Sequence, residues 1–292
     1  MLSSPRGSSY HSESLARGLM VIRAFGHDFP RLRAIDVAKR TGLSRAAARR
    51  YLLTLQDLGY VGSEADLFYL RPRLLDLGFS YLSSIGVEDI VQPVLSRISE
   101  KTQASSTFAV LDRDEVMFVA RAPSKGIFML ATSIGGRVAA YATTLGQVLL
   151  AAMPLAELDR YLAESKRIAF TKWTVTDATA LRRKLDRVRA EGYALSHSEQ
   201  FEGIVAVAVP VHNQRGEVVA AVNINMYPAN ASKIKVAKKY VAVLREEVRE
   251  LEMALQAQNF LLTAAEPLVT RARKSGRSGG TTRVRHQQDR PA

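Results

Sequence analysis

Residues 33–70 constrain the fold of this chain more than any other stretch, because amphipathic segments and breaks follow one another in a fixed order. An amphipathic segment over about 33–40 runs into Thr41-Gly42-Leu43, where the glycine is expected to stop a helix. A longer amphipathic segment starts after Ser44, a favourable N-cap residue, and ends at Gly59, which suits the positive φ of a helix C-terminus. The stretch therefore predicts two helices joined by a tight turn.

Two short β-rich runs follow these helices. The runs are Tyr60–Val61 and Phe68–Leu70, and the turn-forming residues GSEADL separate them. This pattern predicts a hairpin. A helix, a glycine turn, a basic helix and a hairpin in this order are typical of a winged helix-turn-helix, whose second helix enters the major groove of DNA. A helix capped by Ser14 is predicted before this unit, and a linker helix from Pro72 to about Ile85 after it, so we expect a DNA-binding domain over 14–71 and a linker over 72–86.

The helix after Ser44 carries an apolar stripe and a basic face. On a helix, successive residues are rotated by 100°, and the apolar side chains then fall within an arc of about 120°, the width of a core-facing stripe. These residues are Ala48, Tyr51, Leu52, Leu55 and Leu58. Arginine binds guanine O6 and N7 bidentately and also neutralises phosphate, and the pattern leaves open which arginine would do which. A merely solvated helix start is the alternative, but the surrounding order of elements favours DNA contact. The predicted DNA-binding residues are Ser44, Arg45, Ala46, Arg49 and Arg50.

The positive charge is concentrated at the two ends of the chain. The net charge is +13, and residues 1–85 carry 12 basic and 7 acidic side chains while residues 266–292 carry 7 and 2. Neutralisation of phosphate by lysine and arginine drives non-specific DNA affinity, so a basic N-terminal module suits double-stranded DNA as a partner. Charge alone does not decide this, because many basic proteins bind no DNA.

The second half changes character, from a helical to a mixed pattern. Turn-forming residues at 112–114 and 213–216 separate pairs of strand-like runs, which favours hairpins. Mixed helices and hairpins predict an α+β domain over about 87–258, and the composition of 1–13 and 266–292 predicts disordered ends. Strands are predicted at 104–111, 115–121, 127–133, 193–198, 204–211 and 218–225, and helices at about 89–102, 144–163, 177–191 and 232–258.

Several classes of protein are disfavoured by what the sequence lacks. It has no cysteine, no apolar run long enough to span a bilayer, and no signal-peptide pattern at its start, so a cytoplasmic location without a membrane partner is expected. No nucleophile-elbow, P-loop or dinucleotide motif occurs, and the five histidines are scattered. We therefore expect no catalytic residue, metal or cofactor. The alternative of a different class is a hydrolase or metal-dependent enzyme with an accessory DNA-binding domain.

Four separated segments carry a resemblance to a known family. SLARGLMVIRAFG, LRAIDVAKRTGLSRAAARRYLLTLQDLGYV, GGRVAAYATTLGQVLLAAM and GYALSHSEQFEGIVAVAVPVHNQRGEVVAAVNIN follow one another in the order found in the IclR family of bacterial transcription regulators. The similarity covers about residues 14–258. Within that family, the residues of the first two segments are most similar to those of regulators of aromatic-acid catabolism through the β-ketoadipate pathway.

The resemblance implies a winged helix-turn-helix domain, a linker helix that helps it to dimerise, and a GAF-like α/β effector-binding domain. It implies a homodimer or a dimer of dimers on palindromic promoter DNA, with RNA polymerase as a further expected partner. The implied function is an activator or repressor of a catabolic operon, controlled by a small carboxylate such as an aromatic acid or a β-ketoadipate pathway intermediate. The alternative effector is a smaller acid of the glyoxylate or pyruvate type.

A ligand site for such an acid is expected where a strand runs into a helix at 142–146, because N–H groups at a helix start bind carboxylates. The resemblance places effector contacts at Thr144, Leu145, His197, Ala206, Asn223 and Asn225. Thr143 or Thr144 can alternatively be no more than an N-cap, and His197 an ordinary surface residue. Asn223 and Asn225 are two apart and would share one face of a strand, either buried with partners or facing solvent.

Overall fold

The computed structural model describes residues 11–26, 28–84, 86–124, 133–226 and 233–257. The N-terminal unit begins with helix α1, Glu13–Ile22, and strand β1, Arg31–Leu32. Helices α2, Ala34–Thr41, and α3, Arg45–Asp57, follow, and then strands β2, Val61–Glu64, and β3, Leu67–Leu70. The three strands form an antiparallel sheet in the order β1-β3-β2. This is the predicted winged helix-turn-helix with one additional strand, which at two residues is too short to produce a periodic pattern.

Local signals account for the bounds of these helices. Gly42 ends α2 with φ +71°, Ser44 caps α3, and Gly59 adopts φ +80° after it, as the sequence predicts. The first helix begins earlier than predicted, because Ser12 and not Ser14 is its N-cap. The predicted disorder of 1–13 is therefore wrong for Glu13, while residues 1–10 lie outside the described part of the chain.

The apolar stripe of α3 forms the centre of the small domain's core. Ala48, Leu52 and Leu55 are buried, and Tyr51 packs half-buried against them. Leu58 was expected in the same stripe but is 51% exposed, because the helix ends at Asp57 and the chain turns toward Gly59. The stripe therefore leaves the opposite face of α3 to solvent.

The linker and the second domain follow the winged helix-turn-helix. A 3-10 turn, Pro72–Leu74, leads into the linker helix α4, Leu75–Ser84, and a π-helical turn, Val87–Val91, into α5, Gln92–Thr102. The antiparallel hairpin of β4, Ser105–Asp112, and β5, Glu115–Ala122, precedes the short strand β6, Arg137–Ala139, and a 3-10 turn, Ala140–Ala142. The remaining elements are α6, Thr144–Ala152; α7, Leu155–Glu164; α8, Ala178–Glu191; β7, Ala194–His197; β8, Val205–His212; β9, Val218–Met226; and α9, Lys233–Ala257.

Two predictions for this domain need correction. The helix predicted over 144–163 is two helices, because Pro154 lacks an N–H and Met153 before it is extended, so α6 ends and α7 begins anew. The three-residue strand β6 was not predicted. The strand predicted at 127–133 falls almost entirely outside the described residues, as does the predicted tail at 266–292. Both predicted turns are confirmed, with Arg113 and Gly216 at positive φ.

The six-stranded sheet has the order β6-β5-β4-β9-β8-β7 and separates two apolar clusters. Because strand side chains alternate, Val222 and Ile224 of β9 pack toward α5 and α9, while Ala221 packs toward α6 and α8. The face toward α6 carries small and polar side chains, which leave room for a cavity. Among the described residues, no helix has the length and apolarity required to cross a membrane.

Candidate DNA interface and ligand cavity

The exposed face of α3 presents three guanidinium groups. Arg45, Arg49 and Arg50 are exposed, as is Ala46 between them, opposite the buried stripe. In the described part of the chain none of these arginines forms an ion pair with a carboxylate; the guanidinium of Arg50 lies 5.6 Å from the ring centroid of neighbouring Tyr51. The structure therefore leaves these positive charges available to an external polyanion, as the sequence predicts for a DNA-reading helix.

Ser44 has a structural task at the start of the same helix. Its Oγ accepts the backbone N–H of Ala47 at 3.2 Å, which satisfies one of the donors left free at a helix N-terminus. The hydroxyl proton of Ser44 is not used by that bond. The predicted DNA contact of Ser44 is thus compatible with its capping role.

Other basic side chains of the small domain bind groups within the domain. A count of basic residues in the sequence does not show this. Arg31 pairs with Glu64 at 2.6 Å and lies over the Tyr69 ring. Arg40 donates to the carbonyl of Ala24 at 3.0 Å. These two arginines stabilise the wing and the helix packing, so less of the module's charge is free than its composition suggests.

A cavity opens between the start of α6, the segment after β7, and the inner face of β4, β8 and β9. The space between its walls is about 530 Å³, open solvent included. Five of the six predicted effector residues line it. The full lining is Thr107, Phe118, Val138, Ala142, Thr143, Thr144, Leu145, Ser196, Glu199, Gln200, Phe201, Ile204, Ala206, Asn223 and Asn225.

The sixth predicted residue, His197, is not part of this cavity. Side chains alternate along β7, so Ser196 lines the cavity while the ring of His197 points the other way, 6.0 Å from the ring of Trp173. The structure thus places His197 outside the lining of this cavity, so its predicted effector contact finds no support there. Ser196, which the sequence reasoning missed, could have been found by placing it in register with Ala206 on β8.

The start of α6 supplies hydrogen-bond donors to the cavity. Thr143 is the N-cap, since its Oγ1 accepts the N–H of Gly146 at 3.1 Å. Thr144 is not a cap: its buried Oγ1 has no hydrogen-bond partner among the described residues. The N–H groups of Thr144 and Leu145 belong to the first turn, where a helix has no internal acceptor for them. These donors are the arrangement that binds a carboxylate.

Gly146 allows α6 to lie this close to the preceding 3-10 turn. A Cβ at this position would lie 2.1 Å from the carbonyl oxygen of Ala140, closer than any real contact. The turn and the helix start are thus packed backbone against backbone. Glycine at this position fixes where the donors of Thr144 and Leu145 stand.

Two asparagines lie on the strand face opposite that helix start. Asn223 is buried and its Nδ2 donates to Oδ1 of Asn225 at 3.2 Å, while Oδ1 of Asn223 has no partner among the described residues. Asn223 pairs in register with Thr107, and Asn225 with Ala206, which explains why all four line one cavity. The alternative that these amides face solvent is excluded for Asn223. Its oxygen is a buried acceptor without a partner among the described residues.

The lining contains a carboxylate that sequence reasoning did not assign to the cavity. Glu199 is 7% exposed; its Oε2 accepts from Gln147 at 2.9 Å, and its Oε1 pairs with Nζ of Lys184. Burial lowers the pKa of Lys184 from its ordinary value, and the charge of Glu199 opposes that shift. The pair neutralises the acidic group, so the cavity wall does not repel an anion.

The loop that carries Glu199 is held by hydroxyl groups of the preceding segment. Thr171 Oγ1 donates to the carbonyl of Ser198 and Thr174 Oγ1 to that of Glu199, both at 2.6 Å. Ser198 has φ +63°, and its Oγ accepts the N–H of Gly203 at 2.9 Å. These bonds keep an irregular loop in one conformation beside the cavity.

Family models match almost the whole described chain. Residues 14–65 match the IclR helix-turn-helix domain, and residues 79–253 match the bacterial transcriptional regulator IclR C-terminal domain. Among the described residues, no group of three or more histidines and acidic residues is placed to hold a metal ion.

Curated proteins and solved structures give the same result. The chain is 35% identical to the Pca regulon regulatory protein of Pseudomonas putida, over 82% of each chain. It is 38% identical to the p-hydroxybenzoate hydroxylase transcriptional activator of Acinetobacter baylyi, over 72% of this chain and 79% of the other. A solved IclR homologue from Microbacterium hydrocarbonoxydans, complexed with 4-hydroxybenzoate, is similar with TM-score 0.70 and 26% identity, over 84% of this chain and 100% of the other.

Proposed function

Because the chain belongs to the IclR family of bacterial transcriptional regulators, we propose that it controls a catabolic operon in response to an aromatic carboxylic acid held in the cavity beside Asn223. Family membership makes the chain a DNA-binding regulator and decides against the hydrolase alternative. It acts on promoter DNA in the cytoplasm. The effector is the part of the proposal that depends on the cavity.

The chemistry of the cavity supports an acid of this kind. The N–H groups of Thr144 and Leu145 and the free hydroxyl of Thr144 are donors for a carboxylate. On the strand side, the unpartnered oxygen of Asn223 is an acceptor for a hydrogen bond from a ring hydroxyl. A hydroxybenzoate carries both groups on one rigid ring. The apolar surface for that ring comes from Phe118, Val138, Phe201 and Ile204.

The related proteins support the same class of ligand. The Pseudomonas and Acinetobacter relatives are named for the Pca regulon and for p-hydroxybenzoate hydroxylase, and the Microbacterium homologue was solved with 4-hydroxybenzoate. Phe118 and Phe201 in the lining favour such a ring over a two- or three-carbon acid, because they offer it apolar contact surface.

The single observation that carries the proposal is the buried oxygen of Asn223, a residue of the cavity lining, because this oxygen has no partner within the described chain. Buried polar atoms are nearly always hydrogen-bonded, so an unpartnered one beside a cavity points to a ligand. The effector then shifts the equilibrium between two placements of the winged-helix domains, which requires different affinities for the two.

The experiment that tests the proposal combines melting and DNA binding. We expect 4-hydroxybenzoate or protocatechuate at 100 times its Kd to add about 2.7 kcal/mol to the unfolding free energy and roughly 5–10 °C to Tm. The same acid should change gel-shift affinity for the promoter beside the protein's own gene. A Tm shift with glyoxylate or pyruvate, and none with aromatic acids, would instead establish the smaller-acid alternative. No shift with any acid would contradict the effector proposal.

The linker helix supports self-association of the regulator. None of the residues of α4 is buried, and Leu75, Leu77 and Phe79 are each more than half exposed. Leu15 and Leu19 of α1 are exposed as well. Such apolar side chains mark interaction surfaces when they cluster. A two-fold dimer through α4 would place two recognition helices on the half-sites of a palindrome, and the dimer-of-dimers state and contact with RNA polymerase stay predictions.

Replacing Phe79 with glutamate is expected to weaken dimerisation by at least roughly 100-fold, because each dimer loses two buried aromatic side chains. The fold of the monomer should not change, since Phe79 contributes no buried core there. Sedimentation velocity over a concentration series measures the effect. Met253→Glu on α9, at another exposed apolar position, is the matched control. An unchanged dimer constant for Phe79→Glu would exclude α4 as the interface.

A further inference from the structure

A second, open groove lies on the outer side of the effector cavity. One wall is a single stripe of α8, Ala180, Arg183, Lys184 and Arg187, and the other is the 173–175 segment with the outward residues of β7, Leu195 and His197. The groove encloses about 1040 Å³, its open side included. It shares Ser196 and Glu199 with the inner cavity, so the two spaces have a common wall.

The charges of this groove are not balanced within the described chain. Arg182, on the same helix but outside the groove, pairs with Asp159 and Asp186, and Arg189 donates to two backbone carbonyls. Arg183 and Arg187 have no such partner among the described residues. Two guanidinium groups one helical turn apart therefore face a groove whose one carboxylate, Glu199, is already paired with Lys184.

An exposed aromatic ring adjoins these cations. Trp173 is 52% exposed, and its ring lies 6.0 Å from that of His197. The ammonium of Lys172 lies 5.4 Å from the same ring centroid. An indole is a flat stacking surface for a second ring, and arginine binds a carboxylate bidentately. Trp173 with Arg183 and Arg187 thus offers complementary contacts for both halves of an aromatic carboxylate.

We infer that this groove is a second binding site, separate from the inner cavity, for an aromatic carboxylate whose ring stacks on Trp173 and whose carboxylate is bound by Arg183 and Arg187. The groove and the inner cavity share one wall. A ligand in the groove contacts the outer side of this wall, and the effector in the cavity contacts its inner side. Lys184 spans that wall, because it lines the groove and pairs with Glu199 of the cavity. Occupation of one site therefore alters the electrostatic surroundings of the other.

The chain provides its own probe for this site, because Trp173 is its single tryptophan. The experiment titrates the full-length protein with 4-hydroxybenzoate and follows tryptophan fluorescence, in a background carrying Asn223→Leu to disable the inner cavity. A saturable fluorescence change is expected in that background. The double substitution Arg183→Gln with Arg187→Gln should weaken it by at least about tenfold, because both charge-assisted contacts are lost. Calorimetry should find two ligands per wild-type chain and one in the double variant.

A charge-matched control is Arg215→Gln with Arg249→Gln, which removes two exposed arginines from the β8–β9 turn and from α9, on the other face of the sheet. This control should keep the fluorescence titration unchanged. The inference is overturned if the fluorescence change is absent in the Asn223→Leu background, or if its midpoint is unaffected by the Arg183 and Arg187 substitutions. An equal response to inorganic phosphate would overturn the assignment of an aromatic ligand. Ligand binding at the inner cavity is measured separately, as the Tm shift that 4-hydroxybenzoate causes in the variant carrying Arg183→Gln and Arg187→Gln.

Discussion

Alanine at both Arg49 and Arg50 is expected to weaken operator binding by roughly 2–6 kcal/mol, or about 30-fold and more, if each arginine contributes a base or phosphate contact. Both guanidinium groups are exposed on α3 and form no ion pair within the described residues, so no internal contact competes with DNA for them. Fluorescence anisotropy with labelled promoter DNA measures the loss. The unfolding free energy should change by no more than about 0.5 kcal/mol, as for other surface substitutions.

The single variants separate the two roles that the sequence leaves open. A base-reading arginine, when replaced, should relax specificity at one position of the operator. A phosphate-binding arginine should instead weaken all sequences alike and reduce the salt dependence. Arg249→Ala on α9, an exposed arginine of the second domain, is the control. Wild-type operator affinity in the double variant would exclude the exposed face of α3 as the reading surface.

Replacing Asn223 with leucine is expected to shift the response to the effector to higher acid concentration while operator binding persists. The buried Oδ1 of Asn223 has no partner in the described chain, so leucine should cost the ligand-free protein only about 1 kcal/mol, for the lost bond from Nδ2 to Asn225. The ligand loses a hydrogen bond and meets an apolar group, which we expect to lower its affinity by about 10- to 100-fold. Calorimetry with 4-hydroxybenzoate and promoter gel shifts, with and without the acid, measure the two effects.

Gln214→Leu is the matched control for this substitution, because it makes the same kind of change at an exposed turn between β8 and β9. It should leave effector binding unchanged. Full effector affinity in Asn223→Leu would place the ligand elsewhere. Loss of operator binding by Asn223→Leu without acid would mean that the residue supports the DNA-binding conformation itself, and the effector contact would then be unsupported.

Most helices and strands could be predicted because their signals are local. Ser44 caps its helix and Gly59 ends it, and each acts on backbone groups within a few residues. The errors arose where a short-range signal overrides a periodic one. Pro154 divides an otherwise continuous amphipathic pattern, and the end of α3 at Asp57 removes Leu58 from its stripe. Hydrophobic periodicity alone predicts a helix that continues through such a break.

The site was predictable to the extent that it follows strand alternation and a helix start. Strand alternation and the helix start placed Asn223, Asn225 and Thr144 in what proves to be one cavity lining, whereas His197, predicted from the family resemblance alone, lies outside it. The place of Glu199 in the cavity lining was not predicted, because its partner Lys184 lies in a separate element, α8.

The sequence by itself determined most of the elements and the basic face of α3, because caps, breaks and hydrophobic periods act over a few residues. Four motifs in order determined the family. Only the tertiary structure decided which polar groups share a cavity and which charges are already paired. Thr144 and Asn223 meet across α6 and β9, and Lys184 neutralises Glu199, through packing of distant segments. Burial and pairing depend on neighbours in space, and no local pattern encodes them.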